Sequence, residues 1–110
     1  MLTRKEYLLQ LLQEECVEVA ERASKAVRFG LEEVPSLEHL PSNIRQCNNA
    51  ELIMHEVNDL LGILTIMWAE GLLPPVDQKA LEVKKLRVEK YMDYSRKLGI
   101  LEPHDHGTHH

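Results

Sequence analysis

The chain has 110 residues and a formal net charge of −5 at pH 7, and 44% of its residues are hydrophobic. This length and composition are typical of one soluble globular domain. The acidic balance argues against binding to a nucleic-acid polymer, which needs a basic face to neutralise phosphates. Only 5% of the residues are aromatic, so we expect a helical core of aliphatic side chains. A domain this small buries a modest share of its surface, which favours oligomerisation.

The first predicted helix begins at a capping box formed by Thr3 and Glu6, in which each side chain bonds to the other residue's backbone N–H. Apolar residues then recur at helical spacing through residues 8–27. Gly30 is a natural C-terminal stop. These signals predict a helix from about Arg4 to Phe29.

The second predicted helix follows a long connection that is rich in proline and polar residues. Within this connection, Ser42 is a candidate cap for a short helical turn that ends at Cys47. Asn48 and Glu51 then form a second capping pair. The second helix is predicted from about Asn49 to Ala69.

The third predicted helix begins after Gly71 and the Pro74-Pro75 pair, which end the second helix. Asp77 can cap it, and Gly99 closes it, so it is predicted from about Gln78 to Lys97. The sequence contains no strand signal and no internal repeat. The predicted fold is therefore all-α, an antiparallel helical bundle completed by a second subunit.

The domain limits and the compartment are predicted from the remaining features. Residues 1–102 form one predicted domain, and the histidine-rich residues 103–110 are predicted to be a disordered tail. The amino terminus lacks the apolar segment of a signal peptide, and the apolar run at residues 60–69 is too short to cross a bilayer. Cys16 and Cys47 form no disulfide framework and are expected to be buried free thiols. These features indicate a cytoplasmic protein with no membrane partner.

Two carboxylates of the second helix, Glu56 and Asp59, fall outside its polar sector when the sequence is projected at about 100° per residue. Among apolar neighbours, an isolated carboxylate costs several kcal/mol or takes up a proton. Either a bound divalent cation or a basic partner such as Arg22 or Arg28 has to compensate this charge.

Glu15 and Glu18 lie three residues apart at the margin of the apolar arc of the first helix, so both project from one face. If the two helices pack antiparallel, these acids can meet Glu56 and Asp59. Four gathered carboxylates repel one another unless a hard cation lies among them, and oxygen ligands suit Mg²⁺ or Mn²⁺. The alternative is a solvated acidic surface, because glutamate is common on exposed helix faces.

Basic and aromatic side chains supply candidates for nucleotide contacts. Lys84 lies within the apolar stripe of the third helix and is the first candidate for a phosphate contact, and Lys25 is the second. Tyr91 and Trp68 are candidates for stacking on a base. The alternatives are a lysine whose stem packs while its ammonium reaches water, and rings that fill a core or an interface.

The acidic residues also form two motifs. Glu14-Glu15-Cys16-Val17-Glu18, followed by Glu56-Val57-Asn58-Asp59, resembles the EExxE and ExxD motifs of the all-α nucleoside triphosphate pyrophosphohydrolases, the MazG-like superfamily. The resemblance extends over about residues 8–72. The gap between the two motifs is longer than expected for MazG itself.

The resemblance implies a helical dimer or tetramer that cleaves the α–β phosphoanhydride of (d)NTPs to a nucleoside monophosphate and pyrophosphate. It implies that Glu15, Glu18, Glu56 and Asp59 bind Mg²⁺ and that Glu14 or Glu15 activates the attacking water. The long gap leaves the subfamily and therefore the substrate open, and phosphoribosyl-ATP is the alternative substrate. A separate alternative, from a different class, is a non-catalytic helical interaction module with the same fold.

Overall fold

The computed structural model describes residues 1–36, 38–42 and 46–104, and the regular elements in these ranges are helices. Helix α1 comprises Arg4–Phe29, α2 comprises Asn49–Ala69 and α3 comprises Gln78–Lys97. The predicted bounds of all three helices are confirmed, and so is the all-α class. Residues 43–45 of the predicted turn after Ser42, and residues 105–110 of the predicted tail, lie outside the described residues.

The chain divides into two compact units. The first, Met1–Pro74, contains α1 and α2, and the second, Pro75–His110, contains α3. The acidic motifs belong to the first unit, whereas Lys84 and Tyr91 belong to the second.

Helices α1 and α2 each begin at a complete capping box. The N–H of Glu6 donates to Thr3 Oγ1, and the N–H of Thr3 donates to Glu6 Oε1, each at 3.1 Å. At α2, the N–H of Glu51 donates to Asn48 Oδ1 at 2.8 Å, and the N–H of Asn48 donates to Glu51 Oε1 at 3.1 Å. These bonds satisfy backbone donors that a helix leaves without a partner in its first turn.

Helices α1 and α2 pack antiparallel. At one end, the guanidinium of Arg4 donates to Glu70 through Nε at 2.9 Å and Nη2 at 2.6 Å. At the other end, Asn49 Nδ2 donates to the carbonyl oxygen of Gly30 at 2.8 Å. The start of each helix therefore lies beside the end of the other, which brings the middle of α1 against the middle of α2.

The junction between the two helices is fixed by Asn49, whose exposed fraction is 2%. Besides its side-chain bond to Gly30, its backbone N–H donates to the carbonyl oxygen of Glu33 at 2.9 Å, and the next N–H, of Ala50, donates to Leu31 at 3.0 Å. Gly30 has φ 94°, a conformation that favours glycine. The residues that follow α1 are thus held in place by hydrogen bonds from the first residues of α2.

The buried apolar core is small. Among the described residues, the buried hydrophobic side chains are Leu8, Cys47, Leu52 and Met67. Cys16 is exposed, so the expectation that it is buried was wrong, because the described residues leave that side of α1 uncovered.

Helix α2 is apolar but mostly uncovered. Its apolar window has a mean hydropathy of 1.3, and only 11% of that window is buried. Met54 and Leu61 are 51% and 44% exposed. By length and composition alone, the whole of α2 is long and apolar enough to cross a membrane, whereas the apolar run at residues 60–69 by itself is too short.

Candidate metal centre

Three predicted metal ligands converge where α1 crosses α2. One carboxylate oxygen from each of Glu15, Glu56 and Asp59 lies within 4.8 Å of the other two. Glu56 and Asp59 project from one face of α2 because they are three residues apart, and the antiparallel packing sets Glu15 of α1 opposite them. Oxygens on opposite sides of a bound Mg²⁺ are about 4 Å apart, so small side-chain movements bring this group to ligand distances.

Glu18, the fourth predicted ligand, lies beside this group rather than within it. It shares a cleft with Glu56, and a hydrogen bond to Glu18 favours the protonated form of Glu56. Glu14 is exposed and lies outside the converging group. Asp59 is also exposed within this chain, whereas Glu15 and Glu56 are half-buried.

The pKa values of Glu56 and Glu15 are raised by burial and by the neighbouring acids. Burial raises the pKa of Glu56 to about 7, and the hydrogen bond to Glu18 and the charges of Glu18 and Asp59 act in the same direction. Burial, followed by the charges of Glu18 and Asp59, also raises the pKa of Glu15. In the metal-free protein, the cluster therefore retains a proton near neutral pH.

Two oxygens of this cluster have no hydrogen-bond partner within the described part of the chain. They are Glu15 Oε2 and Glu56 Oε2, and both are buried. Leaving a buried polar atom unsatisfied costs about 1–3 kcal/mol, and more for a charged group. A hard divalent cation would satisfy both oxygens, and a donor set made only of carboxylates suits Mg²⁺ or Mn²⁺ better than zinc. The residues therefore fit the ion that the sequence predicts.

Arg22 forms an ion pair with the acidic cluster, and its Nε lies 3.9 Å from Glu56 Oε1. Both side chains are 18% exposed. This separation makes an ion pair but is too long for a hydrogen bond, so Arg22 compensates the acidic cluster only in part. Arg28, the other candidate partner, lies over the ring of Phe29, 5.4 Å from its centroid.

Two clefts meet at Arg22 and Glu56. One cleft, of about 240 Å³, has only charged side chains in its lining and is called the polar cleft: Glu18, Glu21, Arg22, Lys25 and Glu56. The other cleft, of about 390 Å³, combines charged, apolar and imidazole side chains and is called the mixed cleft: Arg22, Leu40, Leu52, His55, Glu56 and Asp59.

The remaining predicted contacts are distributed over both units. Lys25 lines the polar cleft. Lys84 and Tyr91 are exposed on α3. His55 lies in the polar sector of α2, where a surface histidine is expected, and it is exposed. It also lines the mixed cleft, and its Nε2 lies 3.5 Å from Cys47 Sγ. The signal for this second property is its spacing, because His55 precedes Asp59 by four residues on one face of α2.

Comparison with known proteins adds no relative. No protein-family model, no curated protein and no solved structure matches the chain. The resemblance to the MazG-like superfamily therefore depends on the two acidic motifs and on the chemistry of the residues that carry them.

Proposed function

We propose that this protein is a Mg²⁺-dependent nucleoside triphosphate pyrophosphohydrolase of the MazG-like type. It would cleave the α–β phosphoanhydride of (d)NTPs to a nucleoside monophosphate and pyrophosphate. The observation that carries the proposal is the convergence of Glu15, Glu56 and Asp59 from two helices, with two buried carboxylate oxygens that lack a partner in the described residues.

In this proposal, Glu15, Glu56 and Asp59 hold Mg²⁺ or Mn²⁺, and Glu18 lies close enough to contribute. The bound ion would neutralise phosphate charge and make a coordinated water more acidic. The protein's own residues orient the substrate and accept the proton.

Glu15 is a better candidate than Glu14 for the group that accepts a proton from the attacking water. It is half-buried beside the other acids, whereas Glu14 is exposed.

We also propose that the active form is a cytoplasmic homodimer or homotetramer in which a second copy covers α2. Four buried hydrophobic side chains in the described residues are a small core for a chain of this length, and the exposed apolar side chains of α2 supply the missing surface. The same uncovered helix is the observation that favours the second candidate function, a non-catalytic interaction module.

Pyrophosphate release distinguishes these functions. We expect Mg²⁺-dependent release from at least one member of a panel of NTPs, dNTPs and phosphoribosyl-ATP, and we expect EDTA to abolish it. Asp59→Asn should lose this activity while remaining folded. Glu89→Gln, which removes an exposed charge from α3, should keep it.

Full activity in Asp59→Asn would show that the metal site is assigned to the wrong residues. If no nucleotide is turned over, and Mg²⁺ plus nucleotide produces no thermal shift, the interaction module becomes the better description.

A further inference from the structure

The guanidinium of Arg22 is held unusually loosely for a side chain that is 18% exposed. Its ion pair with Glu56 spans 3.9 Å, and within the described residues it makes no hydrogen bond. A guanidinium has five N–H donors in a fork that matches carboxylate and phosphate oxygens. Arg22 therefore retains most of its hydrogen-bonding capacity beside the acidic cluster.

Arg22 lines both clefts, and the two clefts differ in polarity. The two ends of a nucleoside triphosphate differ in the same property, because one end is a charged polyphosphate and the other is a nucleoside. The polar cleft sets Arg22 and Lys25 beside three glutamates, so it suits an anionic polyphosphate that arrives with a divalent cation to offset the acids. The mixed cleft has Leu40 and His55 in its lining, and an aliphatic side chain and an imidazole can pack on the flat face of a base. Its volume of about 390 Å³ falls within the range of about 300–1,000 Å³ that is usual for small-molecule sites.

Glu56 lies at the boundary between the clefts, with one further acid of the cluster on either side. Glu56 lines both clefts, Glu18 lines the polar cleft and Asp59 lines the mixed cleft. A nucleotide with its nucleoside in the mixed cleft and its pyrophosphate end in the polar cleft would place its α-phosphate beside Glu56.

We propose that Arg22 is a substrate-binding residue that exchanges partners, neutralising Glu56 in the resting protein and binding the polyphosphate of a metal–nucleotide complex in the polar cleft. This inference rests on the proposed function and deepens it, because it assigns the pyrophosphate end and the nucleoside end of the substrate to separate clefts.

The exchange follows from competition for the same negative charge. Arg22 and a divalent cation both interact favourably with Glu56, but they repel each other. The cation therefore binds less tightly while Arg22 remains beside Glu56. A polyphosphate removes this conflict because it supplies Arg22 with new anionic oxygens. Metal and polyphosphate should consequently bind more tightly together than separately, which is positive coupling.

Arg22→Met tests this inference because it keeps much of the side-chain stem and removes the charge. Titration calorimetry with Mn²⁺ alone should show binding about tenfold tighter than in the wild type, because the competing cation is gone. Titration with inorganic pyrophosphate at saturating Mg²⁺ should show binding weaker by about tenfold to a hundredfold, the usual effect of losing a hydrogen-bonded ion contact.

Arg28→Met is the matched control, since it makes the same charge change on the same helix but lines neither cleft. It should leave both affinities at their wild-type values. Arg22→Lys should keep the Mn²⁺ affinity near wild type, because the charge remains. It should still weaken pyrophosphate binding, because an ammonium cannot form the bidentate contact.

Opposite changes in the two affinities support the partner exchange. If Arg22→Met binds both Mn²⁺ and pyrophosphate more weakly than the wild type, or has the same two affinities as Arg28→Met, the inference is overturned. If Arg22→Met fails to fold, as judged by circular dichroism, Arg22→Lys decides: wild-type pyrophosphate affinity in that variant overturns the inference. A wild-type protein that binds no Mn²⁺ and hydrolyses no nucleotide refutes the proposed function itself, whereas an active wild type with unaltered Arg22 variants refutes the exchange alone.

Discussion

Replacing Glu56 by glutamine should stabilise the metal-free protein at alkaline pH. Burial and the neighbouring acids Glu18 and Asp59 raise the pKa of this carboxyl group from 4.5 to about 7. Between these two values the folded state binds more protons than the unfolded state, so the free energy of unfolding falls as the pH rises. The stabilising effect of the proton is fully present below pH 4.5 and is lost above about pH 7.

The size of this effect follows from the same two pKa values. At about 1.4 kcal/mol per pKa unit, the wild-type protein loses about 3 kcal/mol of stability across this range. Glutamine resembles the protonated carboxyl group in shape and carries no charge. Metal-free Glu56→Gln should therefore be about 2–3 kcal/mol more stable than the wild type at about pH 8, and nearly equal to it at about pH 4.

Urea unfolding followed by far-UV circular dichroism, in EDTA and at fixed protein concentration, measures this difference at both pH values. Glu89→Gln serves as the control because Glu89 is exposed on α3 and is not a member of the converging acidic group. Added Mg²⁺ should stabilise the wild type at about pH 8 and leave Glu56→Gln unchanged. Equal stabilities at about pH 8, or a difference that is the same at both pH values, would refute this account of the buried charge.

Four further outcomes follow from the structure and the proposed function. Mn²⁺ should bind more weakly at about pH 6 than at about pH 8, measured by calorimetry, because Glu56 has to release its proton; affinity independent of pH would contradict this. Lys84→Ala should raise KM or lower kcat for pyrophosphate release, and an unchanged kcat/KM would show that this ammonium only reaches water. Asn48→Ala should lower the free energy of unfolding by about 1 kcal/mol in urea, because it removes a helix cap; unchanged stability would mean that water replaces the cap at no cost. Leu61→Glu should dissociate the oligomer in light scattering, and an unchanged molar mass would place the interface elsewhere.

The helices were predictable because the signals that begin and end them are local. Thr3 with Glu6 and Asn48 with Glu51 satisfy the first backbone donors of α1 and α2, and each pair is separated by only three residues. Gly30 ends α1 in a backbone conformation that other residues rarely adopt. Such signals depend on neighbours along the chain, so no knowledge of packing is needed to recognise them.

The site was predictable only in part. The helical spacing placed Glu56 and Asp59 on one face, but their distance from Glu15 depends on the register of two helices. That register depends on contacts between residues that are far apart in the chain, such as the buried Asn49 with Gly30. For the same reason, the sequence left open whether a basic side chain or a cation compensates the charge of Glu56. The distance between Glu56 and Arg22 could not be derived from the spacing of these residues along the chain.

Exposure was the least predictable property. Cys16 and Lys84 both lie in sequence patterns that indicate burial, yet both are exposed. A pattern identifies which side of a helix is apolar, but it does not identify which molecule covers that side. If a second copy of the chain covers an apolar helix face, that face has the hydrophobic periodicity of a buried helix. In a single chain the same face is nevertheless exposed to solvent.

The bonds that Asn49 makes to Gly30 and Glu33 have an evolutionary consequence. They bind the first turn of α2 to the chain just beyond α1, so the segment between Glu33 and Asn49 is a loop whose two ends are held together by hydrogen bonds. Lengthening such a loop lowers the stability only slightly, since each doubling of loop length adds only about 0.6 kcal/mol to the entropic cost of closing it. Insertions and deletions there would leave the acids of both helices in register, so the number of residues between the two acidic motifs can change while the ligand geometry stays the same.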